Sequence, residues 1–265
     1  MQVNETRAHE KQDQEKLDVE TIDGGQRPVQ VASWGWLTGF LVIGVGVMAM
    51  GMLAQGAPTP SGAAAGQFAS HNQAIRIYLS LILMDWALLY YCWAGVHRYG
   101  GNLWTLAGGR WTSWKSVAVD VGIALPFWGV LEGAALGVHK LLDTGALGSG
   151  AGKTVESLLP HSLLEVVVWI ATCITAGICE EMAFRGFVQR QLHVLTGNIW
   201  LAVLGQGLIF GFFHSYQGWT NVAAITVIGI LFGALAAWRK NLRANMVAHA
   251  WTDFFEGWLK FVVWR

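Results

Sequence analysis

The chain has 265 residues, of which 54% are hydrophobic and only 13% charged, and its formal net charge at pH 7 is +0. So few charges could hardly cover the surface of a water-soluble protein of this size, and lipid must therefore be the solvent for much of the chain. The neutral balance and the absence of a basic stripe argue against nucleic acid as a partner. The chain has three cysteines, all in apolar runs: Cys92, Cys173 and Cys179. Because their number is odd and their spacing does not suit a metal, we expect them to pack in the core rather than to form disulfides.

Residues 1–30 differ from the rest of the chain, because they have no apolar period and carry seven acidic against four basic residues. This composition predicts a polar, disordered tail. Residues 31–265 are predicted to form one transmembrane helical domain. It contains seven apolar stretches that could each cross about 30 Å of hydrocarbon as a helix, approximately at 31–54, 74–96, 116–138, 162–184, 199–217, 221–238 and 244–264. The predicted fold is therefore all-α, a polytopic transmembrane bundle of about seven helices.

Lysine and arginine residues concentrate in alternate connections between the predicted helices, as they do in the cytoplasmic loops of membrane proteins. They are Arg98, Arg110, Lys115, Arg185, Arg190, Arg239, Lys240 and Arg243, whereas the opposite connections hold mainly Lys140 and Lys153. We therefore expect a multi-pass membrane protein with its amino terminus in the cytoplasm. Glycines within the apolar stretches are expected to permit close helix approach: Gly122, Gly129, Gly205, Gly207 and Gly211.

Ionisable side chains at membrane depth are candidates for function, because each costs about 2.5–3.5 kcal/mol to insert. The predicted helices contain ten such residues: Asp85, Asp120, Glu132, Glu165, Glu180, Glu181, His214, His249, Asp253 and Glu256. The first three precede the region in which most of the others cluster, and they would suit a proton relay better than a hydrolytic site.

The first cluster, which closes the fourth apolar stretch, contains Glu180, Glu181 and Arg185. Glu181 precedes Arg185 by four residues, so the two can pair along one helical face, whereas Glu180 points about 100° away. A salt bridge at an interfacial helix end would explain the pair equally well. An unpaired glutamate in a low dielectric suits a general base, so the pattern suggests Glu180 as the base and Glu181 as the structural partner of Arg185.

Two histidine clusters follow on later helices. His214 lies one turn beyond Phe210, near the end of an apolar stretch, and a lone histidine there is also typical of an interhelical hydrogen bond. His249, Asp253 and Glu256 follow one another at helical spacing and form one polar stripe on the last helix. A polar seam facing the bundle is the structural alternative for that stripe.

The three clusters are predicted to share one depth. If the helix of Glu181 continues to a turn at residues 196–198, then Glu181 and His214 both lie roughly 25 Å from that turn. His249 lies only about 12 Å from the next cytoplasmic turn. It would share the depth of Glu181 and His214 if the hairpin that turns at residues 196–198 projects about two helical turns into water. Its polar residues make that projection plausible: Gln189, Arg190, Gln191 and His193. A carboxylate and two imidazoles would then meet inside the cytoplasmic leaflet, where they could hold and deprotonate a water.

The order of these motifs resembles the CPBP intramembrane proteases, which include type II CAAX prenyl endopeptidases and bacterial Abi or bacteriocin-processing proteins. The motifs are Glu-Glu-x-x-x-Arg at 180–185, Phe-x-x-x-His at 210–214 and His-x-x-x-Asp at 249–253, each on a predicted membrane helix. The resemblance covers roughly residues 160–260. It implies an endopeptidase that cleaves a membrane-associated, prenylated or leader-type peptide, with the lipid bilayer as its environment.

The resemblance also implies a role for each matching residue. Glu180 corresponds to the base that activates water, and His214 to a residue that helps to hold it. Glu181, Arg185 and Phe210 correspond to supporting residues, and His249 with Asp253 to the pair that stabilises the oxyanion. The prenyl-processing members generally carry asparagine where this chain has Asp253, and an ionised aspartate cannot donate a hydrogen bond. Asp253 must therefore stay protonated or orient His249.

A metal remains an alternative, because nitrogen and oxygen ligands suitable for zinc are available from Glu180, His214, His249 and Asp253. The His-Glu-x-x-His helix of familiar zinc proteases is absent, which favours a mechanism without a cofactor. A second alternative is a non-catalytic membrane protein, either a proton-coupled transporter or a bacteriocin-immunity protein, in which the same groups relay protons or bind a ligand. A third is a degenerate protease that holds substrate without cutting it.

Overall fold

The computed structural model describes residues 29–56, 71–142, 160 and 162–263. The predicted disordered tail lies outside the described residues except for residues 29 and 30. Nine α-helices are present in the described part of the chain: α1 (Trp34–Gly56), α2 (His71–His97), α3 (Leu103–Ala107), α4 (Trp114–Leu142), α5 (Leu163–Glu180), α6 (Gln189–Thr196), α7 (Ile199–Phe213), α8 (Trp219–Arg239) and α9 (Arg243–Val263). A π-helical segment, Glu181–Val188, joins α5 to α6, and a short 3-10 turn, Ser215–Gln217, follows α7.

Each of the seven predicted apolar stretches contains a helix, which confirms the predicted helical bundle. Four helical runs are long and apolar enough to cross a membrane: Ala74–His97, Trp114–Leu142, Leu163–Thr196 and Trp219–Arg239. Two shorter apolar helical runs, Trp34–Ala49 and Ile199–Phe213, accompany them. Large apolar side chains remain exposed on these helices, for example Leu83, Leu163 and Leu208. Such surfaces need lipid around them, so the chain is an integral membrane protein.

The helix that carries the first motif ends at the predicted turn. Gly197 adopts a left-handed conformation with φ of 63° and caps α6, and its amide donates to the His193 carbonyl. The side chain of Asn198 then caps α7 by accepting hydrogen bonds from the amides of Trp200 and Leu201. Glycine and asparagine therefore reverse the chain here, and α6 and α7 pack against each other as a helical hairpin.

The polar residues of this hairpin have another explanation than exposure to water. Gln189 and Gln191 are buried, and each donates a hydrogen bond to a backbone carbonyl of another segment, Gly233 and Ala32 respectively. Arg190 donates to the carbonyls of residues 105 and 106 at 2.6 and 3.2 Å. Polar side chains at these positions satisfy backbone groups of neighbouring elements, which removes the argument that they mark a hairpin projecting into water.

Only some of the predicted glycines allow close helix approach. A Cβ at Gly211 would lie 2.8 Å from the Val222 carbonyl oxygen, and one at Gly207 would lie 2.9 Å from the Ile230 amide, so both bring α7 against α8. A Cβ at Gly205 would meet only the flexible side chain of Leu192. Among the described residues, no other helix places an atom within 4 Å of the Cβ position at Gly122 or Gly129, so the prediction is wrong for those two positions.

A buried ion pair joins α4, α8 and α9 at one end of the bundle. The carboxylate of Asp120 accepts hydrogen bonds from Arg239 at 2.8 Å, Arg243 at 2.9 Å and the Trp111 indole at 3.0 Å. Nearby, the amide of Leu242 donates to the Ala107 carbonyl at 2.9 Å, which attaches the α8–α9 turn to α3. Asp120 is thus a structural anchor with three donors, which is not the environment expected of a relay group.

Candidate active site

The first motif lies where the backbone of the fourth predicted helix changes from α-helical to π-helical. Glu181–Val188 is π-helical and every residue in it is buried, whereas the turns before and after it are α-helical. π-Helical turns inside α-helices are rare and occur frequently at functional sites. Sequence spacing did not reveal this segment, because its composition is that of an ordinary amphipathic helix.

Glu181 is the centre of a buried hydrogen-bond network. Its carboxylate accepts from Arg185 Nη1 at 2.7 Å, from His249 Nδ1 at 2.8 Å and from Asn245 Nδ2 at 3.1 Å. The Asn245 amide also donates to the Phe232 carbonyl at 2.8 Å. The predicted pairing of Glu181 with Arg185 is therefore present, and it extends to the last helix. Sequence analysis missed Asn245, although it lies one turn before His249 on the same helical face.

The Arg185 guanidinium lies between two aromatic rings. Its Cζ is 4.4 Å from the ring centroid of Phe210 and 5.0 Å from that of Phe232, and Nη2 donates to the Gly229 carbonyl at 3.3 Å. A buried cation needs such compensation, because its hydration is lost. The Phe210 of the second motif thus supports the Arg185 of the first.

His249 is oriented by Glu181 and presents its other nitrogen to two more carboxylates. An ionised carboxylate only accepts, so Nδ1 carries the proton in this hydrogen bond. His249 Nε2 then lies 3.8 Å from Glu180 Oε2 and 3.7 Å from Asp253 Oδ2. The imidazole stacks on Phe232 with ring centroids 5.3 Å apart. The two distances exceed direct hydrogen bonds and are compatible with a bridging water.

His214 approaches this centre from the end of α7. Its Nδ1 donates to the Phe210 carbonyl at 2.8 Å, because a carbonyl can only accept, so Nε2 is its remaining nitrogen. The Phe210 ring lies 4.7 Å from His214 and 6.2 Å from His249, centroid to centroid. The second motif therefore reaches the site through Phe210, whereas Glu180, Glu181, His249 and Asp253 are connected directly.

Tyr216, in the 3-10 turn after α7, is a further polar residue at the site. Its ring lies 6.0 Å from His214, and its hydroxyl is close enough to Glu180 and Asp253 to sense their charges. A tyrosine hydroxyl keeps its proton at neutral pH, so it can donate a hydrogen bond here. No spacing of residues in the sequence had indicated Tyr216 as part of the site. The side chain of Glu256, which completes the predicted stripe, lies outside the described residues.

The four possible zinc ligands do not assemble into a metal site. Across the described ranges, no group of three or more His, Cys, Asp or Glu side chains is arranged to hold a metal ion. His249 Nε2 lies 3.8 Å from Glu180 Oε2 and 3.7 Å from Asp253 Oδ2, and His214 reaches the centre by way of Phe210.

The part of the chain that carries these residues is similar to a known protein family. Residues 162–255 match the family model of type II CAAX prenyl endopeptidase Rce1-like proteins. No curated protein and no solved structure matches the chain. The matched region begins at the N-cap of α5 and contains all three motifs, whereas α1–α4 precede it. The match implies a protease whose peptide substrate lies at the membrane. Residues 162–255 are therefore similar to the type II CAAX prenyl endopeptidase Rce1-like family of CPBP proteins.

Proposed function

We propose that the chain is an intramembrane endopeptidase that hydrolyses a peptide bond of a membrane-associated peptide, either prenylated or leader-type, with a water activated by Glu180. One observation carries the proposal. Carboxylates from two helices, Glu180 on α5 and Asp253 on α9, converge on Nε2 of His249 at 3.8 and 3.7 Å. The other ring nitrogen of His249, Nδ1, is hydrogen-bonded to the buried Glu181, which in turn pairs with Arg185. The fold therefore fixes the orientation in which Nε2 meets the two carboxylates.

Glu180 has the environment of a general base. Its side chain is 17% exposed, whereas that of Glu181 is fully buried. A water between Glu180 and His249 can give a proton to the Glu180 carboxylate while its oxygen attacks the carbonyl carbon of the substrate. The same proton can then pass to the nitrogen of the leaving amine as the C–N bond breaks. His214, through its free Nε2, would help to hold the water.

The oxyanion that forms on the carbonyl oxygen needs hydrogen-bond donors. Three carboxylates surround His249, which favours a ring protonated at both nitrogens, with Nε2 as a donor. Asp253 serves to orient the imidazole of His249, which explains why an acidic residue can replace asparagine at this position. The Tyr216 hydroxyl is a second candidate donor. Glu181, Arg185 and Asn245 keep the imidazole in place through its Nδ1 side.

We further propose that no metal takes part, since the candidate ligands do not converge on one point. The site is proposed to open toward the cytoplasmic leaflet, with the amino terminus in the cytoplasm. The support is the grouping of cations at one end of the bundle: Arg190 reaches the carbonyls of α3, and Arg243 donates both to Asp120 and to the Arg110 carbonyl. Cytoplasmic ends of membrane proteins are enriched in such residues.

The proton-relay alternative loses much of its support, because Asp120 is held by two arginines and Glu132 lies on an exposed face, where it accepts from Trp128. The two functions differ in a reconstituted assay. The protein is placed in liposomes with a prenylated carboxyl-terminal peptide or a membrane-anchored leader peptide, and cleavage and proton uptake are followed. Glu180→Gln should abolish cleavage, whereas the matched Glu132→Gln should cleave as the wild type does. Intact cleavage by Glu180→Gln, or lost proton uptake without any peptide cleavage, would overturn the proposal.

A further inference from the structure

Asp85 is a buried acid on α2, outside the region that matches the family, and the mechanism above does not use it. It lies near the middle of the membrane-spanning run Ala74–His97, and the residue is 4% exposed. On the same helix, Tyr78 contacts Trp169 with ring centroids 5.4 Å apart. Leu89 packs in one cluster with Cys179 and Met182. Because Asp85 lies between these two contacts on helices that run in parallel, it lies about one helical turn from the level of Glu180.

The carboxyl of Asp85 faces the candidate active site. It is close enough to interact electrostatically with titratable groups on three neighbouring elements: Cys179, Glu180, His249, Asp253 and Tyr216. Within the described part of the chain, it has neither a hydrogen-bond donor nor a cation within ion-pair distance. An ionised carboxylate at membrane depth without such a partner is strongly disfavoured.

Counting charges identifies the group that must stay neutral. The site holds four carboxyl groups, on Asp85, Glu180, Glu181 and Asp253, but three groups that can be positive, on Arg185, His214 and His249. Full ionisation would leave one uncompensated negative charge. Glu181 is committed to Arg185 and His249, while the side chains of Glu180 and Asp253 are 17% and 31% exposed and can be hydrated. Asp85 is therefore the carboxyl that retains a proton.

We propose that Asp85 is a neutral carboxylic acid that acts through Glu180, as a positioning residue that limits the negative charge of the active site. This inference rests on the proposed protease function for its consequence, though not for the protonation itself. When alkaline pH removes the proton from Asp85, a further negative charge appears beside the developing oxyanion. That charge opposes the transition state, so peptide cleavage should decline. Two acids in one site, one neutral and one ionised, thereby take different roles.

Infrared spectroscopy tests the protonation without any activity. At neutral pH the wild type should show the carbonyl stretching band of a protonated carboxylic acid, and raising the pH should remove that band. Asp85→Asn should lack it, whereas Glu132→Gln, which changes a solvent- or lipid-exposed acid on α4, should keep it. Asp85→Ser provides a second variant if the asparagine protein does not fold. A spectrum in which the band is absent from the wild type, or persists in the folded Asp85 variants, overturns the proposal.

The pH profile of cleavage tests the consequence. Asp85→Asn imitates the neutral acid at every pH, so its cleavage of the liposome-bound peptide should not show the alkaline decline of the wild type. An alkaline decline unchanged from the wild type, or loss of cleavage at all pH values in a folded variant, would contradict the role of Asp85. If the wild type cleaves no peptide, the proposed function fails, and the infrared band alone decides whether Asp85 is protonated.

Discussion

His249 and Glu181 are joined by a 2.8 Å hydrogen bond between Nδ1 of the imidazole and Oε1 of the carboxylate, which connects α9 to the π-helical segment. The same oxygen accepts from Arg185 at 2.7 Å. One buried carboxylate thus fixes the position of the histidine and the proton on its Nδ1, which leaves Nε2 to face Glu180. The two adjacent glutamates have separate tasks, because one holds the ring and the other approaches its free nitrogen.

Loss of the Glu181 charge should destabilise the fold. Glu181→Gln leaves Arg185 buried without its counter-ion, and breaking a buried pair from one side costs about 3–5 kcal/mol. Glu180→Gln is the matched control on the neighbouring residue, and its stability should stay close to that of the wild type, because Glu180 accepts no direct hydrogen bond in the described structure. Denaturant unfolding in detergent micelles measures both. Equal stability of the two variants would refute the central place of Glu181.

Asn245 should be needed for the position of His249 rather than for chemistry. Asn245→Ala removes the amide that donates to the buried Glu181 carboxylate and to the Phe232 carbonyl, which should cost about 1–3 kcal/mol of stability. Peptide cleavage should fall with it, because the imidazole loses part of its support. Thr252→Ala, which removes only a hydroxyl bonded to its own helix, is the control. If both alanine variants behave alike in unfolding and cleavage, Asn245 has no such role.

Gly177 sets the distance between α5 and α9. A Cβ at this position would lie 2.8 Å from the Met246 carbonyl oxygen and 2.8 Å from the Ala250 amide nitrogen, on either side of His249. Gly177→Ala should therefore push α9 away from α5 and reduce peptide cleavage strongly. Gly133→Ala, at a position with open space around the Cβ, should leave cleavage unchanged. Full activity of Gly177→Ala would show that the separation of the two helices is not critical.

Chelation tests the proposed absence of a metal. Because the candidate ligands do not form a metal set, cleavage should survive prolonged treatment with a strong zinc chelator, and elemental analysis of the active protein should find no stoichiometric metal. A chelator of the same concentration saturated with zinc beforehand controls for effects on the bilayer. Activity that disappears on chelation and returns with zinc alone would require a different mechanism.

The local spacing of the sequence predicted the parts of this site that depend on one helix. The Glu181–Arg185 pair follows from a separation of four residues, and the turn at Gly197 follows from glycine beside asparagine. Both features need only local geometry, which periodicity reports directly. The same holds for the positions of the apolar helices.

Features that depend on contacts between helices were missed or misinterpreted. Asn245 contributes through Glu181, and Tyr216 lies near Glu180 and Asp253. These neighbours are far away in sequence, so no local pattern marks the two residues. Gln189 and Gln191 suggested exposure, but backbone carbonyls of other segments explain their polarity. Gly129 suggested a helix contact, but in the described part of the chain no other helix has an atom within 4 Å of its Cβ position. Composition shows that a residue is polar or small, and the tertiary partner decides what that property is used for.

The most direct test of the account is a double-mutant cycle on Glu180 and His249 in the reconstituted cleavage assay. If both act on one water, Glu180→Gln should lower kcat by about 10²–10⁴-fold, and adding His249→Ala should cause little further loss, because groups that act as a unit are not additive. Thermal unfolding confirms that each variant is folded. Losses that simply multiply in the double variant, or a Glu180→Gln protein that cleaves at the wild-type rate, would contradict a shared catalytic water.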